Sequence, residues 1–248
     1  MIPVLRPGWP APAGALVSTR EGGVSTGPWA SLNLGDAVGD DPAAVAENRR
    51  RFEAGLGGAK PVWLRQVHGT RVLRLSPADL TQPPQQADAA WTDQPGIACT
   101  VMVADCLPVL LAAPDGRAVA AAHAGWRGLA GGVLEAAVSA LCDGAGVDPS
   151  GLQAWLGPCI GPTAFEVGAE VRDAFEADAA HLAYRPRPDG SPRWLADLPA
   201  LARARLCRAG LTSVQGGEWC TVSDASRFFS YRRDGVTGRF AAAVWRLG

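Results

Sequence analysis

Two histidines and one cysteine stand where the sequence could build a metal site. His68 and His123 each close an apolar run just before a glycine turn, and Cys106 lies between two strongly apolar runs. Enzymes often place reactive groups on loops that a rigid sheet holds in position. Two imidazoles and one thiolate suit zinc, and three protein ligands leave the fourth tetrahedral position open, as in catalytic zinc sites. The three residues therefore predict a catalytic zinc site. No zinc-finger spacing links them, because they lie 38 and 17 positions apart (106 − 68 and 123 − 106).

A charged residue directly precedes the thiol. Asp105 lies inside an otherwise apolar stretch, where burying a carboxylate is costly unless it has a partner or a function. Two roles are open for it. It could act as a catalytic base or orient water on the metal, or it could be the hydrogen-bond partner of one of the two histidines.

The elements that must position these residues are short strands mixed with helices. Apolar runs of strand length are predicted at 15–19, 61–67, 71–75, Ile97–Val103, Leu107–Ala112, 118–123 and Gln153–Leu156. Helical spacing is predicted at 41–54, 129–142, 168–177 and 195–209, the first with an Asp-Pro start. A closing hairpin is predicted from 228–232 and 239–245.

These elements predict an α+β fold. The loops at 82–88 and 186–192 are too short to join independent domains, and no fixed-period repeat occurs. We therefore expect residues 1–248 to form a single compact domain.

Composition excludes several classes of partner. The net charge of -1, with both signs interspersed, gives no basic patch for nucleic acid or an anionic membrane surface. No secretion signal or transmembrane run is evident, and the six cysteines are dispersed. This pattern predicts a cytoplasmic protein without disulfides. A monomer is expected because no long exposed apolar stripe is evident.

Seven motifs follow one another through almost the whole chain. They lie at 19–25, 31–35, 66–69, 104–108, 123–128, 157–161 and 228–239. In this series the chain resembles the YfiH-like family, once labelled multicopper polyphenol oxidases or laccase-domain proteins. The resemblance implies an α/β/β sandwich-like domain with a mixed sheet and a surface cleft. It also implies one Zn²⁺ per chain on His68, Cys106 and His123, with no organic cofactor.

The same resemblance implies a zinc-dependent purine nucleoside phosphorylase. Its expected partners are phosphate and a purine nucleoside (adenosine, inosine, guanosine or methylthioadenosine), and hydrolytic deamination of adenosine is a possible second activity. Copper is not expected, because a multicopper oxidase needs many more histidines than the three present. A cytidine-type deaminase is disfavoured, because 158–161 lacks the second cysteine of its zinc motif.

Three polar residues in these motifs are candidates for substrate binding. Arg20, beside a glycine pair, could bind phosphate, or it could cap a surface turn. Asn33 and Glu166 could bind the ribose or the purine. They could equally be a turn asparagine and a carboxylate at a helix start.

Three other functions are open. The first is a zinc hydrolase that edits peptidoglycan precursors, a reading taken from the same family. The second is a metal-free hydrolase in which His123 activates Cys106 as a nucleophile. The third is a metal-stabilised interaction module, in which removing His68 abolishes folding instead of turnover.

Overall fold

The chain alternates between short strands and short helices. In the computed structural model, which describes residues 2–247, the strands are β1 (Val4–Leu5), β2 (Ala13–Ser18), β3 (Lys60–Val62), β4 (Val72–Arg74), β5 (Ala89–Thr92), β6 (Ile97–Val103), β7 (Leu107–Ala112), β8 (Val119–Ala124), β9 (Gln153–Leu156), β10 (Glu166–Val167), β11 (Leu182–Tyr184), β12 (Trp194–Ala196), β13 (Ser213–Gly216) and β14 (Phe240–Arg246). The helices are α1 (Pro42–Glu53), α2 (Trp126–Gly131), α3 (Val133–Ala145), α4 (Ala169–Ala174), α5 (Leu198–Arg208) and α6 (Tyr231–Asp234).

Two mixed sheets form the centre of the molecule. The five-stranded sheet has the order β1-β2-β14-β6-β3, and the six-stranded sheet has the order β13-β9-β7-β8-β5-β4. A small third sheet has the order β10-β12-β11. The predicted α+β class and α/β/β arrangement are confirmed.

Side-chain alternation along β7 shows how the layers pack. Leu107, Val109 and Leu111 join the core formed with α3 and α5, whereas Leu110 and Ala112 join the core shared with the five-stranded sheet. Successive strand residues point to opposite faces, so a strand covered on both faces is apolar throughout. A third core lies on the outer face of the five-stranded sheet, beneath α1.

The helix prediction at 129–142 needs correction. Gly132 has a φ of +99°, a left-handed conformation that ends α2 and begins α3. The chain therefore forms two helices here, and α2 starts directly after the glycine turn that follows His123.

Two strand predictions also need correction. In the run predicted as a strand at 61–67, only β3 pairs with the sheet. Beyond β3, the Gln66 side chain hydrogen-bonds to the backbone of β6. Its Nε2 donates to the Met102 carbonyl and its Oε1 accepts from the Met102 amide, both at 2.8 Å. The predicted hairpin is wrong, because Ser230 caps the short helix α6 by accepting from the Arg233 amide at 3.2 Å. Strand β14 pairs instead with β2 and β6, which fill both of its edges.

No helix between residues 2 and 247 is long and apolar enough to cross a membrane.

Candidate active site

His68, Cys106 and His123 converge from three parts of the fold. His123 lies in β8, Cys106 in the turn between β6 and β7, and His68 in the loop after β3. One ligand atom from each lies within 4.8 Å of the others. The Cys106 Sγ is 3.6 Å from His68 Nε2, and the two imidazole rings meet edge to face with centroids 4.8 Å apart. A borderline metal ion would find a nearly assembled set of donors here.

The backbone is strained at His68 and at Asp105, the residue before Cys106. Among residues 2–247, His68 and Asp105 are the non-glycine residues with positive φ, at 60° and 96°. Such conformations persist only where surrounding contacts enforce them, and they cluster at functional sites.

Asp88 enforces the conformation at His68. This carboxylate is fully buried and lies immediately before β5. Oδ1 accepts from the His68 amide at 2.9 Å, Oδ2 accepts from the Gly69 amide at 2.7 Å, and both accept from the Val67 amide at 3.2 Å. Oδ1 also lies 2.8 Å from His123 Nδ1. With Nδ1 committed to Asp88, Nε2 is the His123 nitrogen left to bind a metal.

Charge is concentrated at this cluster. Burial raises the pKa of the Cys106 thiol, but the neighbouring His123 and His68 outweigh burial and lower it. Burial lowers the pKa of His123, but Cys106 and Asp88 outweigh it and raise the pKa. Both shifts favour a thiolate–imidazolium pair when no metal is bound. A metal binding there would displace the imidazolium proton.

Asp105 organises the loop of Cys106. Its Oδ1 accepts from Thr221 Oγ1 at 2.5 Å, and its Oδ2 accepts from the Arg232 amide at 2.6 Å. Its carbonyl accepts from the Ile160 amide at 2.9 Å. The carboxylate that contacts His123 is Asp88, not Asp105. A role for Asp105 as a base or in orienting water on the metal stays a prediction.

The three donors open into a cavity of about 790 Å³. Ligand pockets of this size hold small organic molecules. Its wall includes the aromatic side chains of Trp63 and Tyr231, and Tyr231 is 62% exposed. Three arginines, Arg49, Arg65 and Arg239, line the same cavity, together with one carboxylate, Asp36.

Arg20 does not line this cavity. Its Nε and Nη2 donate to the Ala30 carbonyl at 3.0 and 2.8 Å, and its Nη1 donates to the Ala225 carbonyl at 3.0 Å. The guanidinium also lies 4.8 Å from the centre of the Phe229 ring. These contacts favour the expectation that Arg20 stabilises a turn over the one that it binds phosphate.

Asn33 is fully buried. Its Oδ1 accepts from the amides of Gly35 and Arg239 at 2.9 and 2.8 Å, and its Nδ2 donates to the Gly35 carbonyl and to Asp40. All of its polar atoms are occupied, so the geometry favours a turn asparagine that positions neighbouring residues.

Glu166 lies outside the cavity that holds the three donors. It lines a neighbouring cavity of about 650 Å³ and accepts from Arg187 Nε at 2.9 Å, while Arg193 Nε lies 3.8 Å away. The Glu166 backbone carbonyl accepts from Arg232 Nη1 at 3.0 Å. Its role in substrate binding stays a prediction.

Comparison with known proteins gives the family. A family model described as multi-copper polyphenol oxidoreductase laccase matches residues 14–247. The chain belongs to this family. A relative from Escherichia coli K12, named purine nucleoside phosphorylase YfiH, is 51% identical over 252 residues, covering 100% of both chains. A Pseudomonas aeruginosa protein also named a purine nucleoside phosphorylase is 54% identical over 244 residues, covering 97% of both.

Solved structures of the YfiH family share the fold. A Neisseria meningitidis protein is 46% identical and superposes with a TM-score of 0.91, covering 99% of both chains. YlmD from Geobacillus stearothermophilus is 34% identical and also gives a TM-score of 0.91, covering 99% of this chain and 96% of its own. The laccase description of the family contrasts with the three histidines of this chain.

Gly125 keeps the ligands of this YfiH-family chain together, and we expect Gly125→Ala to weaken metal binding. A Cβ there would lie 2.6 Å from His68 Cδ2 and 3.0 Å from Cys106 Sγ. Metal affinity, measured with Zn²⁺ by chelator competition, should fall about 10- to 100-fold, as when groups that position metal ligands are changed. Gly151→Ala is the control, because its Cβ meets only ordinary contacts with Pro114 at 3.5 Å. Equal zinc affinity in both variants would contradict this role.

Proposed function

We propose that this chain is a zinc-dependent purine nucleoside phosphorylase. The observation that carries the proposal is the cluster of His68, Cys106 and His123 at the wall of a cavity of about 790 Å³. The names of the full-length relatives support the same activity. Inosine, adenosine, guanosine and methylthioadenosine are the proposed substrates, and hydrolytic deamination of adenosine is the proposed second activity.

The donor set supports zinc as the metal. One thiolate and two imidazoles match its borderline softness, and the Asp88–His123 contact is the kind of pair that orients histidine ligands of zinc. When bound, zinc would supply a Lewis acid that stabilises negative charge on a substrate oxygen. Copper also binds sets of two histidines and one cysteine. Elemental analysis of the purified protein separates the two metals.

The reaction asks the protein for two kinds of binding. A phosphate oxygen forms a bond to C1′ of the ribose while the C1′–N9 bond breaks, and the electron pair of that bond stays with the purine. The proton of the phosphate ion goes to the purine, so that ribose 1-phosphate and free base are released. The cavity therefore needs a surface for the nucleoside and a cationic site for phosphate.

The cavity offers both kinds of surface. The exposed Tyr231 ring can cover a purine face, and stacking between a base and an aromatic ring is worth about 1–3 kcal/mol. Arginines provide the cationic part. The chain itself thus binds and orients both substrates beside the metal donors.

Inosine turnover with and without phosphate tests the proposal. We expect hypoxanthine and ribose 1-phosphate to form only when phosphate is present, in protein that contains one zinc per chain. Phosphate-independent release of hypoxanthine would instead show a hydrolase. Zinc-loaded protein that leaves all four nucleosides unchanged would overturn the proposal and favour editing of peptidoglycan precursors.

A second candidate function uses the same residues without metal. The lowered pKa of Cys106 beside His123 favours a thiolate nucleophile. This hydrolase would gain activity when a chelator removes the metal, since a metal-bound thiolate is a poor nucleophile. The phosphorylase would lose activity under the same treatment.

A further inference from the structure

Arg239 is a cation without a carboxylate partner in the cavity of the three donors. No carboxylate oxygen of residues 2–247 lies within 4.0 Å of its guanidinium. Arg49 in the same cavity differs, because its Nη2 lies 3.2 Å from Asp36 and its guanidinium lies over Trp63. A partly buried charge is costly unless it is paired, so an anion bound from outside the chain would stabilise the Arg239 guanidinium.

The fold holds Arg239 firmly at both ends. Its amide donates to Asn33 Oδ1 at 2.8 Å, and its carbonyl accepts from the Leu34 amide at 2.9 Å. Its Nη1 donates to the carbonyls of Thr237 and Gly238 at 3.1 and 3.0 Å, which fixes the plane of the guanidinium. A binding group whose orientation is fixed before the ligand arrives loses less entropy on binding.

Gly35 makes room for the Arg239 stem. A Cβ at Gly35 would lie 2.8 Å from Arg239 Cγ and 3.2 Å from its Cβ. The Gly35 amide and carbonyl are both bound by Asn33. Asn33 and Gly35 therefore act together to direct Arg239 into the cavity.

Two donor groups of Arg239 stay available. Its Nε and Nη2 have no hydrogen-bond acceptor within the described part of the chain, and neither is sealed away from solvent. Two N–H groups on one edge of a guanidinium bind two oxygens of a phosphate at once. Arg239 lies in the wall of the same cavity as His68, Cys106 and His123.

We infer that Arg239 binds the phosphate substrate, a role for which the sequence had made Arg20 the candidate. This inference rests on the proposed phosphorylase function. Arg20 donates to backbone carbonyls through Nε and both terminal nitrogens, whereas Arg239 lines the reaction cavity and has two N–H groups free. Its role is to hold phosphate beside the nucleoside, so it should set the KM for phosphate and leave that for inosine nearly unchanged.

Steady-state kinetics of Arg239→Met and Arg239→Lys test the inference. In Arg239→Met, the KM for phosphate should rise about 10- to 100-fold, the loss expected for hydrogen bonds to a charged group. The KM for inosine should stay within about threefold, and zinc content should stay at the wild-type level. Arg239→Lys keeps the charge but not the planar fork, so it should recover part of the phosphate affinity.

Arg185→Met is the control, because it removes an equal charge from an exposed arginine outside that cavity. An unchanged phosphate KM in Arg239→Met, or an equal rise in Arg185→Met, would overturn the assignment. If Arg239→Met does not fold, the same criteria apply to Arg239→Lys.

Binding of inorganic phosphate, measured by calorimetry without nucleoside, separates this inference from the proposed function. Loss of phosphate binding in Arg239→Met supports the phosphate site even if the wild type shows no phosphorolysis. Wild-type phosphate affinity in that variant opposes the site even if the wild type is a phosphorylase.

Discussion

Replacing Cys106 with alanine is expected to abolish metal binding and phosphorolysis together. Cys106 is the only thiolate in the donor cluster, and the two remaining imidazoles hold zinc weakly. A metal that stabilises a reacting oxygen contributes several kcal/mol, so kcat/KM should fall by about 1000-fold or more. The measurements are zinc per chain by elemental analysis and phosphate-dependent release of hypoxanthine from inosine.

Cys207→Ala is the control for this change. Cys207 is an exposed thiol on α5 and lies outside the cavity of the three donors, so zinc content and turnover should match the wild type. A Cys106→Ala protein that is folded, free of zinc and still fully active would refute a metal-dependent reaction. A variant that cannot fold unless Cys106 is restored would instead support the metal-stabilised interaction module.

The sequence predicted that His68, Cys106 and His123 lie together because their residue types are those of metal ligands, and the structure places them in one cluster. Two histidines just before glycine turns and a cysteine between two apolar runs are uncommon without a function. The ordered motifs indicated that the three belong to one site, which their spacing alone could not. Their contacts depend on β8 bringing His123 beside a turn 17 positions earlier. Sheet pairing of this kind is non-local, so it is visible only once the strand order is known.

Asp88 was missed for a physical reason. It lies in a segment predicted as a loop, directly before β5, a four-residue strand that the sequence analysis did not predict either. The β5 sequence, Ala-Ala-Trp-Thr, shows no alternation because both of its faces are buried. The signal that could have found Asp88 is a lone carboxylate next to an alanine-rich apolar run, where burial demands several hydrogen bonds.

Arg239 could not be identified from the sequence either, because its free N–H groups depend on the tertiary structure. The glycine pair near Arg20 made this residue a candidate for phosphate binding, with capping of a surface turn as the alternative. Whether an arginine is free depends on which carbonyls lie within its reach, and Ala225 is 205 positions away from Arg20. Residue type and sequence neighbours can therefore suggest which arginine binds an anion. Long-range contacts in the fold determine which arginine has N–H groups free to do so.

Asp88→Ala should lower both the free energy of unfolding and the affinity for metal. It would strip the acceptors from three backbone amides and from the His123 ring in a fully buried position. Breaking such a buried charged network costs about 3–5 kcal/mol of unfolding free energy. Asp88→Asn keeps the shape and one acceptor, so it should remain folded while zinc affinity falls about 10- to 100-fold.

Urea unfolding and chelator competition measure the two effects. Asp115→Asn, in an exposed ion pair with Arg117, should change stability by less than about 1 kcal/mol.

The pH dependence of Asp88 gives the same network a second, independent readout. Burial raises the pKa of Asp88, but hydrogen bonds from His123 and the Gly69 amide outweigh it, and the net pKa in the folded protein is lowered. A group with a lowered folded pKa stabilises the protein above its unfolded pKa, about 3.9, and this stabilisation is lost as pH falls through the folded value. The gap in unfolding free energy between wild type and Asp88→Asn, measured without metal, should therefore be full near pH 7 and shrink below about pH 4. A gap that stays constant down to pH 2 would mean that the charge of the Asp88 carboxylate does not stabilise the His68 loop.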